Sequence, residues 1–227
     1  MKNFYLYIFI LSCFIIAVSY WNTYSNTYFT EGFKSEEKNF VLLGDSILKN
    51  DAYVPNGKSV DQLLVERTNG KTKCLAVNHA KIVDVYSQVA KIPEDLNTIN
   101  TTLFLSVGGN DVLSYYDDQS NDPSDTSFLD VMLKSYQKLI KSIQTKIPNA
   151  NIVVLDIYYQ DNITYKRYHS IINKWNKMVY DYASKNDLGV LKISEILTKP
   201  DDFSFGVEPS ALGSAKLVDA ILSSSRL

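Results

Sequence analysis

Histidine and cysteine are scarce in this chain, with two of each in 227 residues. The cysteines are Cys13, inside an apolar run, and Cys74, a pattern that excludes a disulfide framework and a thiolate metal site. Basic residues do not cluster. The 23 Lys and Arg against 25 Asp and Glu leave a formal charge of −2. Nothing here supplies the concentrated positive face that a phosphate backbone requires, so a nucleic-acid partner is excluded. There is no P-loop and no dinucleotide fingerprint, and no cofactor is expected. The acidic stretch with Asp117, Asp118, Asp122 and Asp125 lacks the spacing of an EF-hand and reads as a solvated loop, so no metal site is expected. No internal repeat and no second globular domain are visible.

What the chain does have begins with an apolar N-terminus. Residues 4–18 are apolar apart from Ser12, with Lys2 before them and Tyr20 and Trp21 after them. As a helix, 4–21 would cross most of a bilayer with its aromatic end at the interface. Two readings of 1–21 stand: a signal peptide cleaved after Ala17-Val18-Ser19, or a retained single-pass anchor. Both place the remainder on the non-cytoplasmic side, secreted or membrane-bound, because Lys2 marks the short cytoplasmic end. Residues 22–38 are polar without apolar period and read as a linker. Residues 39–227 carry the globular part, within a chain that is 45% apolar and 21% charged.

In that part, short continuous apolar runs alternate with amphipathic stretches. The runs 40–43, 74–77, 102–107, 152–157 and 190–193 have the character of strands buried on both faces of a parallel sheet. Helical stripes follow at 128–147 (Phe128, Met132, Tyr136, Leu139, Ile140, Ile143, Ile147) and at 166–186 (Tyr168, Ile171, Ile172, Trp175, Met178, Val179, Tyr182). A last helix over 211–224 has Ser210 as its N-cap. The alternation predicts an α/β fold, a three-layer α/β/α sandwich around a five-stranded parallel sheet. Ligands of such sheets bind beyond the carboxyl ends of the strands.

Two stretches sit at those ends, and a third opens the last helix. After the first run comes Gly44-Asp45-Ser46, a turn that exposes a serine hydroxyl at the sheet edge and aims backbone N–H groups toward a developing oxyanion; the same tripeptide also serves as a helix cap before Ile47 and Leu48. After the third comes Gly108-Gly109-Asn110-Asp111, whose glycines allow close backbone approach. The amide of Asn110 is a donor for the same oxyanion. The last helix is entered through Glu208-Pro209-Ser210.

In combination and in this order, "GDSIL", "SVGGND" and Pro-Ser-x-x-Gly resemble the SGNH (GDSL-type) hydrolase family over 39–227, with its flavodoxin-like sheet. The resemblance implies a serine hydrolase of acyl esters, with Ser46 as nucleophile and Asn110 in the oxyanion hole. It also implies Asp45, Gly108, Gly109 and Asp111 around the substrate. Carbohydrate esters, lipids and thioesters all stay open as substrates, and the loops 112–127 and 158–166 are expected to wall the pocket. The second block falls on 75–85, with His79 where the family has a glycine that lends its backbone N–H. The last block departs from the pattern, with Glu208 in place of the histidine and Phe205 in place of the aspartate. The chain is similar to a branch that ends in Glu-Pro-Ser.

Three readings follow for the missing histidine. Glu208, in an apolar pocket beside Phe205, acts as base; burial raises a carboxylate from its ordinary pKa of about 4.3, and a carboxylate needs no aspartate to fix a tautomer. Alternatively His79 is the base. In the third reading the protein is catalytically impaired and binds an acyl or glycan ligand. Asp201 and Asp202 are off the family's spacing. The other histidine, His169, is expected on a solvated helix face with Asn173 and Asn176.

Overall fold

The computed structural model of the protein describes residues 15–20, 38–117, 126–159 and 163–224. The chain divides into two compact units, 1–37 and 38–227. In the first, residues 15–20 are helical and exposed. The rest of the apolar run and nearly all of the linker lie outside the described residues. Among the described residues no helix is long and apolar enough to cross a membrane.

The second unit is built on a parallel sheet of five strands: β1 (Asn39–Gly44), β2 (Thr72–Cys74), β3 (Thr101–Ser106), β4 (Asn151–Leu155) and β5 (Gly189–Leu191), in the order β2-β1-β3-β4-β5. Side chains alternate between two cores. Val41, Leu43, Leu103, Leu105, Ile152 and Val154 face one, under helices Ile82–Val89, Gly109–Tyr116, Ser127–Lys146 and His169–Lys185. Phe40, Leu42, Phe104, Val153 and Leu155 face the other, under helices Ser46–Lys49, Val60–Arg67, Ile193–Ile196 and Ala211–Ser224. Burial on both faces is why β1, β3 and β4 read as unbroken apolar runs. Each buried aliphatic side chain contributes roughly 1.5–3 kcal/mol.

The expected three-layer sandwich is therefore present, with two local differences. The second strand is Thr72–Cys74 and not 74–77; it is a half-exposed edge strand, so apolar character does not mark it. Leu75 and Val77 still donate their amides to Leu42 O at 2.8 Å and Gly44 O at 2.9 Å, which continues the pairing in irregular form. Asn176 is also not solvated. It is buried, and its side-chain amide takes the N–H of Ile157 at 2.9 Å and donates to the carbonyl of the same residue at 2.7 Å. His169 is half-buried, edge-on to Tyr159.

The order of strands reverses between β1 and β3, and a crevice opens beyond their carboxyl ends at such a reversal. Gly44 pairs with Ser106 at the end of these two strands, so the segments that follow them start side by side.

Candidate active site

Gly44 ends β1 with φ 120°, and a β-carbon there would lie 1.7 Å from Ser106 O, so no other residue fits. Buried Gln88 clamps the same glycine, accepting its N–H at 2.7 Å and donating to its carbonyl at 2.9 Å. Asp45 then caps the one-turn helix Ser46–Lys49. Its Oδ1 accepts from Ile47 N at 3.2 Å and from Ser106 Oγ at 2.8 Å. Burial pushes the Asp45 carboxyl up to about 7, opposed by those two donors, with Glu208 and Asp111 adding to the rise. The cap reading of Gly44-Asp45-Ser46 is realised, whereas Ser46, the first residue of the capped helix, is buried and not exposed, and it lines the pocket.

Glu208 arrives from the far end of the chain. A two-stranded antiparallel hairpin, β6 (Phe203–Ser204) and β7 (Glu208–Pro209), turns through Phe205, Gly206 and Val207. Its base is fixed by buried Asp202, whose Oδ2 accepts from the amides of Thr198 and Lys199 at 3.0 Å each and whose Oδ1 pairs with Lys216 at 2.5 Å. Its tip is held by the hydroxyl of Tyr158, which donates to Val207 O. Ser210 caps the final helix through Gly213 N at 3.1 Å, as the sequence suggests.

The result is a direct contact. Ser46 Oγ donates to Glu208 Oε1 at 2.8 Å, and both residues are buried. Burial holds the Glu208 carboxyl above its ordinary value of 4.5, while the Ser46 hydrogen bond and the nearby His79 pull the other way. Glu208 Oε2 is buried and has no hydrogen-bond partner among the described residues. Phe205 does not wall this carboxylate as expected. It is 82% exposed, held in a left-handed conformation at φ 51°. The apolar surroundings come instead from Ile157, Tyr158, Ile193 and Val207.

His79 lies elsewhere. Its backbone is left-handed, φ 64°, the region that suits the glycine of the resembled block. Its exposed ring pairs through Nε2 with the Tyr53 hydroxyl at 3.1 Å, not with Ser46. Asn110 lines the same small pocket as Ser46, Gly109 and Glu208, and its Nδ2 also donates to Ala80 O at 3.2 Å. The pocket has a volume of about 50 Å³. Gly108, at φ 117°, packs where a β-carbon would meet Met132 and Trp175. Asp111 turns away from the pocket and accepts the Ile82 amide at 3.1 Å, which ties the second block to the third. Of the loops expected to wall the pocket, Leu113 and Tyr158 contribute, and 118–125 lies outside the described residues.

Two residues of the site carry no signal in the sequence. Asn50 is fully buried; its Nδ2 donates to Pro209 O at 2.9 Å and Ser214 Oγ at 2.8 Å, and its Oδ1 accepts from Val60 N at 2.8 Å. Asp156, after β4, lines the pocket and accepts from the Ser194 amide at 3.0 Å, the Ser194 hydroxyl and the Tyr180 hydroxyl. Burial raises its pKa against those three donors. Among the described residues no group of His, Cys, Asp and Glu is arranged to hold a metal ion.

Comparison with known proteins locates the fold. No sequence family matches the chain, and no curated protein does. Among solved structures, a member of the lipolytic G-D-S-L family from Veillonella parvula aligns with a TM-score of 0.62 at 16% identity, over 82% of this chain and 97% of the other. Phospholipase A1 from Streptomyces albidoflavus gives 0.61 at 17%, over 82% and 99%. The extracellular lipase of Streptomyces rimosus gives 0.62 at 15%, over the same shares of 82% and 99%. The architecture is that of the GDSL lipolytic proteins. At these identities the likeness is one of fold.

Proposed function

We propose that the globular unit is a serine hydrolase of acyl esters in which Ser46 is the nucleophile and Glu208 the general base. The observation that carries this reading is the buried hydrogen bond from Ser46 Oγ to Glu208 Oε1, at 2.8 Å. Ser46 Oγ attacks the ester carbonyl carbon and gives its proton to Glu208. The oxyanion takes N–H groups from Asn110 and from the backbone after Gly44. The tetrahedral adduct collapses, the alcohol leaves with the proton held by Glu208, and Ser46 is left acylated. Water then gives a proton to Glu208 and attacks the acyl carbon. The acid departs and the proton returns to Ser46 Oγ. Burial makes the carboxylate a stronger base than a solvated one, which suits it to both transfers.

Asp45, Gly108 and Asp111 support this site through the backbone and the neighbouring loops, while Gly109 borders the pocket. His79 acts on Glu208 electrostatically and does not take the serine proton. The apolar N-terminus delivers the domain to the non-cytoplasmic side, as a cleaved signal or an anchor, a reading supported by Lys2 ahead of the run.

The test is labelling of the full chain with a fluorophosphonate, followed by peptide mass analysis. Ser46 is expected to carry the label and short-chain esters to be hydrolysed. An unlabelled Ser46 together with no ester hydrolysis contradicts the reading and favours a protein that only binds an acyl or glycan ligand.

A further inference from the structure

The hydrolase reading leaves the substrate open, and two features beside the Ser46–Glu208 pair narrow it. The first is the size of the pocket. Its roughly 50 Å³ is space for only a few water-sized groups, at about 10–15 Å³ each. That accommodates the reacting end of an acetyl ester. Sites that enclose a long chain or a drug-sized ligand run to about 300–1,000 Å³.

The second feature is an aromatic group next to the base. Tyr53 stands edge-on to His79, with ring centroids 6.4 Å apart, and edge-on to Phe205 at 6.3 Å. The group lies within electrostatic reach of the carboxylate: Glu208 raises the Tyr53 hydroxyl's pKa, and His79 lowers that of Glu208. Phe205 stands three positions before Glu208 in the hairpin that delivers it. Two of the three rings, His79 at φ 64° and Phe205 at φ 51°, belong to residues in left-handed backbone. For a bulky residue that conformation is strained, and such strain concentrates at functional sites. Phe205 also leaves 82% of its surface in water, so packing within the fold does not account for its position. The group combines apolar ring faces with polar edges, the Tyr53 hydroxyl and the His79 imidazole, joined at 3.1 Å. A sugar ring has the complementary surface, with C–H faces that stack on aromatic rings and hydroxyls that bond at the edge. An alkyl chain uses the faces and leaves the edges unpaired.

We propose that Tyr53, His79 and Phe205 bind the alcohol side of the substrate, and that this substrate is an acetyl-sized ester of a carbohydrate. The inference depends on the ester-hydrolase reading above. Its test is acetate release by the full chain from glucose pentaacetate and from n-butyl acetate, with p-nitrophenyl acetate and octanoate compared for acyl length. The sugar acetate is expected to be preferred over butyl acetate, and the acetyl over the octanoyl ester. In Phe205→Ala the preference for the sugar acetate is expected to fall about 3- to 10-fold, the worth of one aromatic contact, and to return in Phe205→Tyr. Equal turnover of butyl acetate with no change of preference in Phe205→Ala overturns the proposal, as does preference for octanoate. If Ser46 takes the phosphonate label while either of these holds, only the substrate assignment falls. If Ser46 is unlabelled and no ester is cleaved, the hydrolase reading falls and takes this one with it.

Discussion

Asn50 Nδ2 donates to the carbonyl of Pro209 at 2.9 Å, one residue beyond Glu208. The same Asn50 gives its backbone N–H to Ser46 O at 2.8 Å. One buried residue thus bonds to the nucleophile's helix and to the strand that carries the carboxylate. These two segments are otherwise remote in sequence, Ser46 and Glu208 being 162 positions apart. On the proposed reading Asn50 is a positioning residue that sets the separation between Ser46 and Glu208.

Asn50→Asp keeps the shape and the acceptor for Val60 but removes both donors. The expected loss of stability is more than about 3 kcal/mol at neutral pH, because the new carboxylate is buried without a cation and against the Pro209 carbonyl. Ester hydrolysis is expected to lose kcat more than it raises KM, since a displaced base slows the chemistry and leaves the pocket in place. Steady-state kinetics beside a denaturant titration checks both. A fall in stability with kcat retained at full value assigns Asn50 to the fold alone.

Gly44 and Gly108 both have positive φ, yet replacement is expected to differ. A β-carbon on Gly44 meets the Ser106 carbonyl at 1.7 Å, backbone that cannot yield without parting β1 from β3. On Gly108 its nearest contact is the flexible end of Met132 at 2.9 Å, followed by the Trp175 ring. Gly44→Ala is expected to cost more than about 4 kcal/mol, with little folded protein recovered. Gly108→Ala is expected to fold with a lower Tm. Thermal melts of the two variants decide, and equal destabilisation contradicts the packing described.

The buried carboxylates set a pH dependence of stability. Asp45 titrates near 3.8 when unfolded and at about 7 when folded, so between those values the native state holds a proton that the unfolded chain has lost. Stability is therefore full below about pH 4 and is lost as pH rises through 7, by at most about 1.4 kcal/mol for each pH unit crossed. Glu208, Asp111 and Asp156, also raised, act in the same direction. The Tm is expected to drop by several degrees from pH 5 to pH 8, at about 2–4 °C per kcal/mol. Asp45→Asn keeps an acceptor for Ser106 and Ile47 without a charge and is expected to flatten part of that drop. A Tm that climbs over this range contradicts the assignment.

The parts of the fold legible in the sequence are those that pattern alone marks. Phe40–Leu43 and the stripe from Met132 to Ile143 announce a doubly buried strand and a core-facing helix because every inward position is apolar. Thr72–Cys74 is not legible, because an edge strand buries little and its neighbour Leu75–Val77 is the more apolar stretch. Ser46 and Asn110 stand out because motif order places them after strands, and Glu208 because it stands at the entry of the last helix; all three line one pocket. Asn50 does not. In Lys49-Asn50-Asp51 it reads as an ordinary turn, and its partners Pro209 and Ser214 are distant in the chain. Phe205 reads as a cover for the carboxylate. The hairpin's left-handed turn sends it outward instead, which no local pattern reveals.

The central claim is that a carboxylate takes the serine proton, and kcat/KM against pH for Glu208→Gln and His79→Gln tests it most directly. Glu208→Gln is expected to lose about 10²- to 10⁴-fold, the worth of a general base, above the wild-type midpoint, and to lose the rise with pH. The wild type is expected to rise with pH as Glu208 deprotonates, with a midpoint above the ordinary 4.5. His79→Gln is expected to keep activity and to move that midpoint upward, because the imidazole lowers the Glu208 pKa. Activity retained in Glu208→Gln and lost in His79→Gln would contradict the account.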